Sequence, residues 1–167
     1  MDSNRFALTV LRHRFLGGPN VWTYRSTMEV WLDLGTLEQH PSHTIDGLTD
    51  RLLAWLPGLA THHCGVGEVG GFVQRLREGT WAGHVLEHCV IELLNLAGMP
   101  TGFGQTRSTS KPGVYRMVFR ARNRATAEAA LTHGHALLQA ALNNEAFDVA
   151  AAVKALHDVV DATWLGP

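Results

Sequence analysis

The sequence is short of cysteine, of charge and of long apolar runs, and each shortage removes a class of protein. Two cysteines, Cys64 and Cys89, are too few for a disulfide framework, so both read as reduced and the chain as cytoplasmic. Charged residues make up only 17% of the chain, and a formal net charge of −1 gives no general attraction to nucleic acid or to an anionic membrane, so neither is an expected partner. No uninterrupted apolar run reaches the ~18 residues that a membrane span needs. Met1-Asp2-Ser3-Asn4-Arg5 also lacks the apolar stretch of a signal peptide. What the chain does have is apolar material, 46% of its 167 residues, enough to build the core of one domain covering residues 1–167.

The pattern along the chain predicts an α/β fold of the α+β kind. Arg5 to Phe15 mixes β-branched, aromatic and basic residues as a strand does, and Gly17-Gly18-Pro19-Asn20 closes it. Thr27 to Leu34 alternates Met28, Val30, Leu32 and Leu34 with Glu29, Trp31 and Asp33, the period of a half-buried strand. Asp46 is placed to cap a helix that runs to Trp55 and stops at Pro57-Gly58. Thr61 to Gly71, with four glycines and a polar cluster, is expected to be a loop whose backbone approaches a ligand or another segment. Thr80 is the expected N-cap of the clearest helix, which Gly98 ends. Phe103–Thr109 and Val114–Arg120 read as strands joined at Ser110-Lys111-Pro112-Gly113, and Ala125–Leu142 and Phe147–Val160 as two further helices. The expected order is β-β-α-α-β-β-α-α, a small antiparallel or mixed sheet covered by helices in one layer-packed domain. A chain of this size with apolar helices is most often a homodimer.

His84, Glu87 and His88 spell His-x-x-Glu-His, the inverted counterpart of the zincin motif. Residues four apart on a helix share a face, so the two imidazoles can grip one metal ion with Glu87 beside it. Zinc fits best, because two imidazoles and one carboxylate or thiolate leave a fourth position for a water whose pKa falls toward about 7. Glu87 is then the general base. The other helix positions, among them Val85, Leu86, Cys89 and Val90, are apolar, so the polar trio must emerge at a cleft or rim.

The third ligand is not fixed locally. Glu92 lies on the same face but about 12 Å along the axis from His84. Cys64 and His63 come from the glycine-rich loop, and Glu128 from the next long helix. Glu128 is adopted by analogy with His-x-x-Glu-His metallopeptidases of the pitrilysin type, whose third ligand is a glutamate from a later helix. His133 and His135, two apart on a helix, point to different faces and share no metal.

Several segments carry a resemblance. They are Gly18-Pro19-Asn20-Val21-Trp22, WLDLGTLE from Trp31, HHCGVGEVGGF from His62, RLREGTWAGHVLEHCVIELLNLAG from Arg75, and GFGQTR from Gly102 followed by PGVYRMVF. In this order, over roughly residues 17–120, they resemble the N-terminal domain of cyanophycin synthetases. The loop stretch Val66-Gly67-Glu68-Val69 departs from a usually more polar, cysteine-containing one. The ATP-grasp and Mur-ligase-like domains of that family do not occur in the sequence, so an excised domain or a stand-alone relative is expected.

The resemblance implies a polymer partner with a poly-aspartate backbone and arginine joined through each side-chain carboxyl, which this domain holds. In some members the domain resembles a metallopeptidase that cuts the polymer, and the residues implied fall on His84, Glu87 and His88. The expectation is therefore a zinc-dependent hydrolase cleaving cyanophycin or a related polymer. Arg75, Arg77 and Arg107 are then expected at its carboxylates, and Glu68 and Glu78 at its guanidinium groups. Trp81 is expected in the core. Two alternatives stand beside this: a non-catalytic module that anchors the polymer, and a lyase of the S-ribosylhomocysteine lyase type, which would take Cys64 as third ligand.

Overall fold

The computed structural model describes residues 6–64 and 67–164. Four strands, β1 (Thr9–Leu16), β2 (Thr27–Asp33), β3 (Gly104–Ser108) and β4 (Val114–Arg120), form one sheet. Its order is β1-β2-β4-β3 and every neighbouring pair is antiparallel. Among the described residues five α-helices accompany it: α1 (Leu48–Trp55), α2 (Gly71–Glu78), α3 (Ala82–Leu96), α4 (Arg124–Leu142) and α5 (Val149–Trp164). The mixed α+β architecture and the antiparallel sheet are those the sequence predicts, with α2 added between the expected helices.

The alternation in β2 sets the layers. Met28, Val30 and Leu32 are fully buried and join the core with residues of α3 and α4. The intervening Glu29 and Trp31 belong to the other face of the pleat, where Arg12 of β1, Trp31, Arg116 of β4 and Arg107 of β3 occupy one row across the sheet. Two close approaches hold α3 against its neighbours. A Cβ at Gly134 of α4 would come within 2.6 Å of Val90, and one at Gly104 within 2.7 Å of the Glu87 side chain. Glycine at these positions lets helix and helix, and helix and strand, meet nearly backbone to side chain.

Several boundaries differ from the sequence reading, each for a local reason. The first strand begins at Thr9, not Arg5; Arg5 lies outside the described residues, and the backbone N–H groups of Phe6 and Leu8 donate to the side chains of Asn143, just past the end of α4, and Gln139 of α4. Asp46 does not cap α1, whose N-cap is Gly47 in the left-handed region (φ 66°). Thr80 does not cap α3 either, because the helix starts one residue later with Trp81 at the N-cap and no side-chain cap bond. The expected loop 61–71 covers the end of a 3-10 turn, Pro57–Thr61, and the first residue of α2; Gly65 and Val66 lie outside the described residues. Cys89 is fully buried in the core, where burial pushes its thiol up to about 12. Among the described residues no helix is long and apolar enough to cross a membrane.

Candidate functional site

The i,i+4 spacing on α3 brings His84 and His88 together as the motif predicts: their Nε2 atoms lie 3.1 Å apart. Cys64, from the segment preceding α2, approaches from outside the helix, with its Sγ 3.4 Å from His84 Nε2. Donor atoms of these three side chains all fall within 4.8 Å of one another. The third corner of the cluster is thus Cys64. Glu128 is elsewhere, because its position on α4 faces β1; it pairs with His13 at 3.6 Å and with Arg124 at 3.8 Å.

Both histidines are oriented from behind. His88 Nδ1 lies 2.9 Å from His62 Nδ1, and His62 Nε2 lies 2.7 Å from Glu92 Oε2. A carboxylate accepts, so His62 donates through Nε2 and accepts at Nδ1; His88 then donates through Nδ1 and carries its lone pair on Nε2, toward Cys64 and His84. Thr80 Oγ1 is 2.8 Å from His84 Nδ1. A hydroxyl can donate or accept, so Thr80 suits either tautomer of His84. When it accepts, both Nε2 lone pairs converge on one point, an arrangement that repels itself unless a cation stands there. This is the carboxylate–histidine support found behind metal ligands. The donor set of one thiol and two imidazoles fits a soft or borderline divalent ion.

Burial tunes the charges. It pulls His84 down to about 4, with Arg75 adding to the effect, and pulls His88 down to about 2, with His84 and His62 adding. Both are neutral at ordinary pH, the form that ligates. Burial raises the Cys64 thiol while Arg75 lowers it, so a metal must displace a proton there. Burial also lifts Glu87 to about 7, against the hydrogen bond that Thr106 Oγ1 donates to its Oε2 at 2.6 Å. Its other oxygen is 3.9 Å from His88 Nε2.

The helix that the sequence reading missed supplies much of the wall. Phe72 of α2 stacks on the His88 ring at 3.9 Å and 14°, and stands edge-on to His84. Arg75, one turn later, lines a cleft of about 220 Å³ with Cys64, Thr80, Trp81, His84, Thr106 and Tyr115. Trp81 is not core: it is 41% exposed, and its indole N–H donates to the Glu38 carbonyl at 3.1 Å. Glu92 acts through His62, as the axial distance implies. His63 bonds to the Gly67 carbonyl at 2.9 Å.

The other expected contacts lie outside the cleft. Arg77 is exposed and 3.9 Å from Asp50. Glu78 accepts from Gln74 at 2.8 Å and is exposed, as is Glu68. Arg107 sits on the far face of the sheet in the arginine–tryptophan row. His135 bonds to the Leu8 carbonyl, away from any ligand cluster. Sequence reasoning missed His62, Phe72, Thr80 and Thr106 as parts of the site, and only His62, beside His63 and Cys64, carried a visible signal.

The family model described as "Cyanophycin synthase-like N-terminal domain" matches residues 29–143, which include every residue of the cleft. Cyanophycin synthetases of Geminocystis herdmanii and Synechocystis sp. are each 44% identical over 114 residues, 67% of this chain. That of Nostoc sp. is 44% identical over 118 residues, 70% of this chain. In all three the match covers 13% of the relative, so the chain spans a small part of the curated relatives it matches.

These names correct the expected activity. Proteins so similar are called cyanophycin synthetases, and the expectation of a zinc-dependent hydrolase or metallopeptidase cleaving the polymer is overturned. The lyase alternative finds its cysteine beside the histidines but not its family.

Proposed function

The chain belongs to the family of cyanophycin synthase-like N-terminal domains, and from that premise we propose that it is a polymer-holding module, binding cyanophycin or a related Asp/Arg polymer without cutting it. The observation that carries this reading is the placement of Arg75 and the exposed Trp81 on the cleft beside His84, within the stretch shared with the synthetases. A polymer with a carboxylate and a guanidinium in each unit needs both a cationic fork and an aromatic face. Arg75 supplies the first through charge-assisted hydrogen bonds, and Trp81 the second as a platform for guanidinium groups. Arg77, Glu78 and Arg107, exposed beyond the cleft, offer charges of both signs to flanking units.

Zinc is the metal we assign to Cys64, His84 and His88, since one thiolate and two imidazoles favour it over harder ions. Bound there it would link the loop before α2 to α3, and so fix Arg75 at the mouth of the cleft.

The test is co-sedimentation with insoluble cyanophycin, with new amino termini assayed in parallel. Wild type is expected in the pellet without release of termini. Arg75→Gln combined with Trp81→Ala is expected in the supernatant with an unchanged circular dichroism spectrum. Wild-type protein remaining in the supernatant would refute the reading.

A further inference from the structure

A second cavity, separate from the Cys64–His84–His88 cleft, has a lining that calls for a ligand. The turn between β1 and β2, the segment after α3 and the exit of β4 enclose about 380 Å³, within the range of small-molecule pockets. Arg25, Arg120 and Arg122 line it, with Tyr24 and Thr101, and among the described residues no aspartate or glutamate does. Among the described residues none of these three arginines forms an ion pair. Three uncompensated guanidinium groups around one space repel each other, a cost that an anion in that space removes.

The lining is also prepared in two other ways. Arg122 lies 3.9 Å above the Trp164 ring and Arg120 lies 5.6 Å from the centre of Phe103. A guanidinium resting its face on a ring leaves its in-plane N–H groups for an acceptor, and of those of Arg120 one, on Nη2, donates to Thr23 Oγ1 at 3.4 Å. Two polar atoms of the lining are buried without a hydrogen-bond partner, Arg120 Nε and Thr101 Oγ1, and Thr101 is only 8% exposed. Native proteins rarely leave such atoms unmatched.

We propose that this cavity binds an oxyanion, a carboxylate or a phosphate group, held by Arg25 and Arg122 at its mouth and by Arg120 and Thr101 within. The proposal stands apart from the polymer-holding reading, since it uses none of the cleft residues.

It is tested by calorimetric titration of the full chain with sodium phosphate and, separately, sodium succinate at low salt, with sodium chloride as the control at matched ionic strength. Saturable binding of at least one oxyanion and none of chloride is expected. Phosphate alone binding would point to a phosphorylated ligand, succinate alone to a carboxylate, and either result supports the site. Arg25→Gln with Arg122→Gln should weaken binding by at least about tenfold, the scale of lost charged hydrogen bonds, whereas Lys154→Gln, on the exposed face of α5, should not change it. Thr101→Val adds a second readout: it should weaken binding while leaving the free protein as stable or more stable, because it removes an unpaired buried hydroxyl. No saturable binding of either oxyanion, or wild-type affinity in the double arginine variant, would overturn the proposal.

Discussion

The Nε2 atoms of His84 and His88 face each other at 3.1 Å, with the Cys64 sulfur 3.4 Å from the first of them. Two imidazole nitrogens this close need either a shared proton or a shared cation. Thr80, by donating or accepting at His84 Nδ1, accommodates both. The purified protein is therefore expected to take up about one zinc per chain in a competition assay with a chromogenic chelator. Cys64→Ser or His84→Ala should abolish tight uptake, while Glu128→Gln, on the β1 side of α4, should leave it unchanged. Equal affinity in Cys64→Ser and wild type would refute the cluster as a metal site.

The Glu92–His62–His88 chain predicts an effect at a distance from the metal. Glu92→Gln cannot accept from His62 as strongly as a carboxylate does, so His88 loses part of its orientation. Metal affinity should fall by about 10–100-fold, the usual effect of removing an outer partner, with the stoichiometry unchanged. Full affinity in this variant, measured by the same competition assay, would mean that His62 merely packs against His88.

Gly58 bears on the same chain from the other side. A Cβ at this position would overlap the Glu92 carboxylate, so Gly58→Ala must displace that side chain or the 3-10 turn. A loss of about 1–3 kcal/mol, typical of overpacking, is expected in urea denaturation, together with weakened metal binding. Gly17→Ala, where an added Cβ meets nothing within 4 Å, should stay within about 0.5 kcal/mol of wild type.

How much of this was legible in the sequence depended on whether the signal was local. The period of β2 and the apolar stripe of α3 are properties of single elements, and both elements lie within a residue or two of the positions they implied. The pairing of His84 with His88 follows from helix geometry alone. The partner Cys64 does not, because it stands 20 residues upstream of His84 and reaches it only through the packing of α2. That helix was hidden by the glycines before it and by having just two buried apolar residues, Phe72 and Leu76. Glu128 rests on analogy with other enzymes alone, and nothing in its own segment says which way that face of α4 turns. Thr80 has the residue type and place of an N-cap, yet its hydroxyl serves His84, a competition between cap and site that spacing does not reveal.

The last prediction concerns Glu87, whose folded-state pKa is raised by burial from 4.5 to about 7. A carboxyl whose pKa is higher in the folded than in the unfolded chain binds its proton preferentially in the folded state. Its contribution is fully present below the unfolded value, near 4.5, and is lost as the pH rises through about 7. Above that, the metal-free protein holds a buried carboxylate, eased only by the Thr106 hydroxyl, at a cost of up to roughly 3 kcal/mol. Glu87→Gln keeps an acceptor for Thr106 and cannot ionise. In urea denaturation of metal-free protein the variant should match wild type near pH 4.5 and exceed its stability near pH 8. Zinc in the neighbouring cluster should shrink the difference, because a cation close to Glu87 favours its charged form. A gap that stays constant from pH 4.5 to pH 8 would show that Glu87 does not titrate between those limits, and that its burial costs the folded protein nothing at neutral pH.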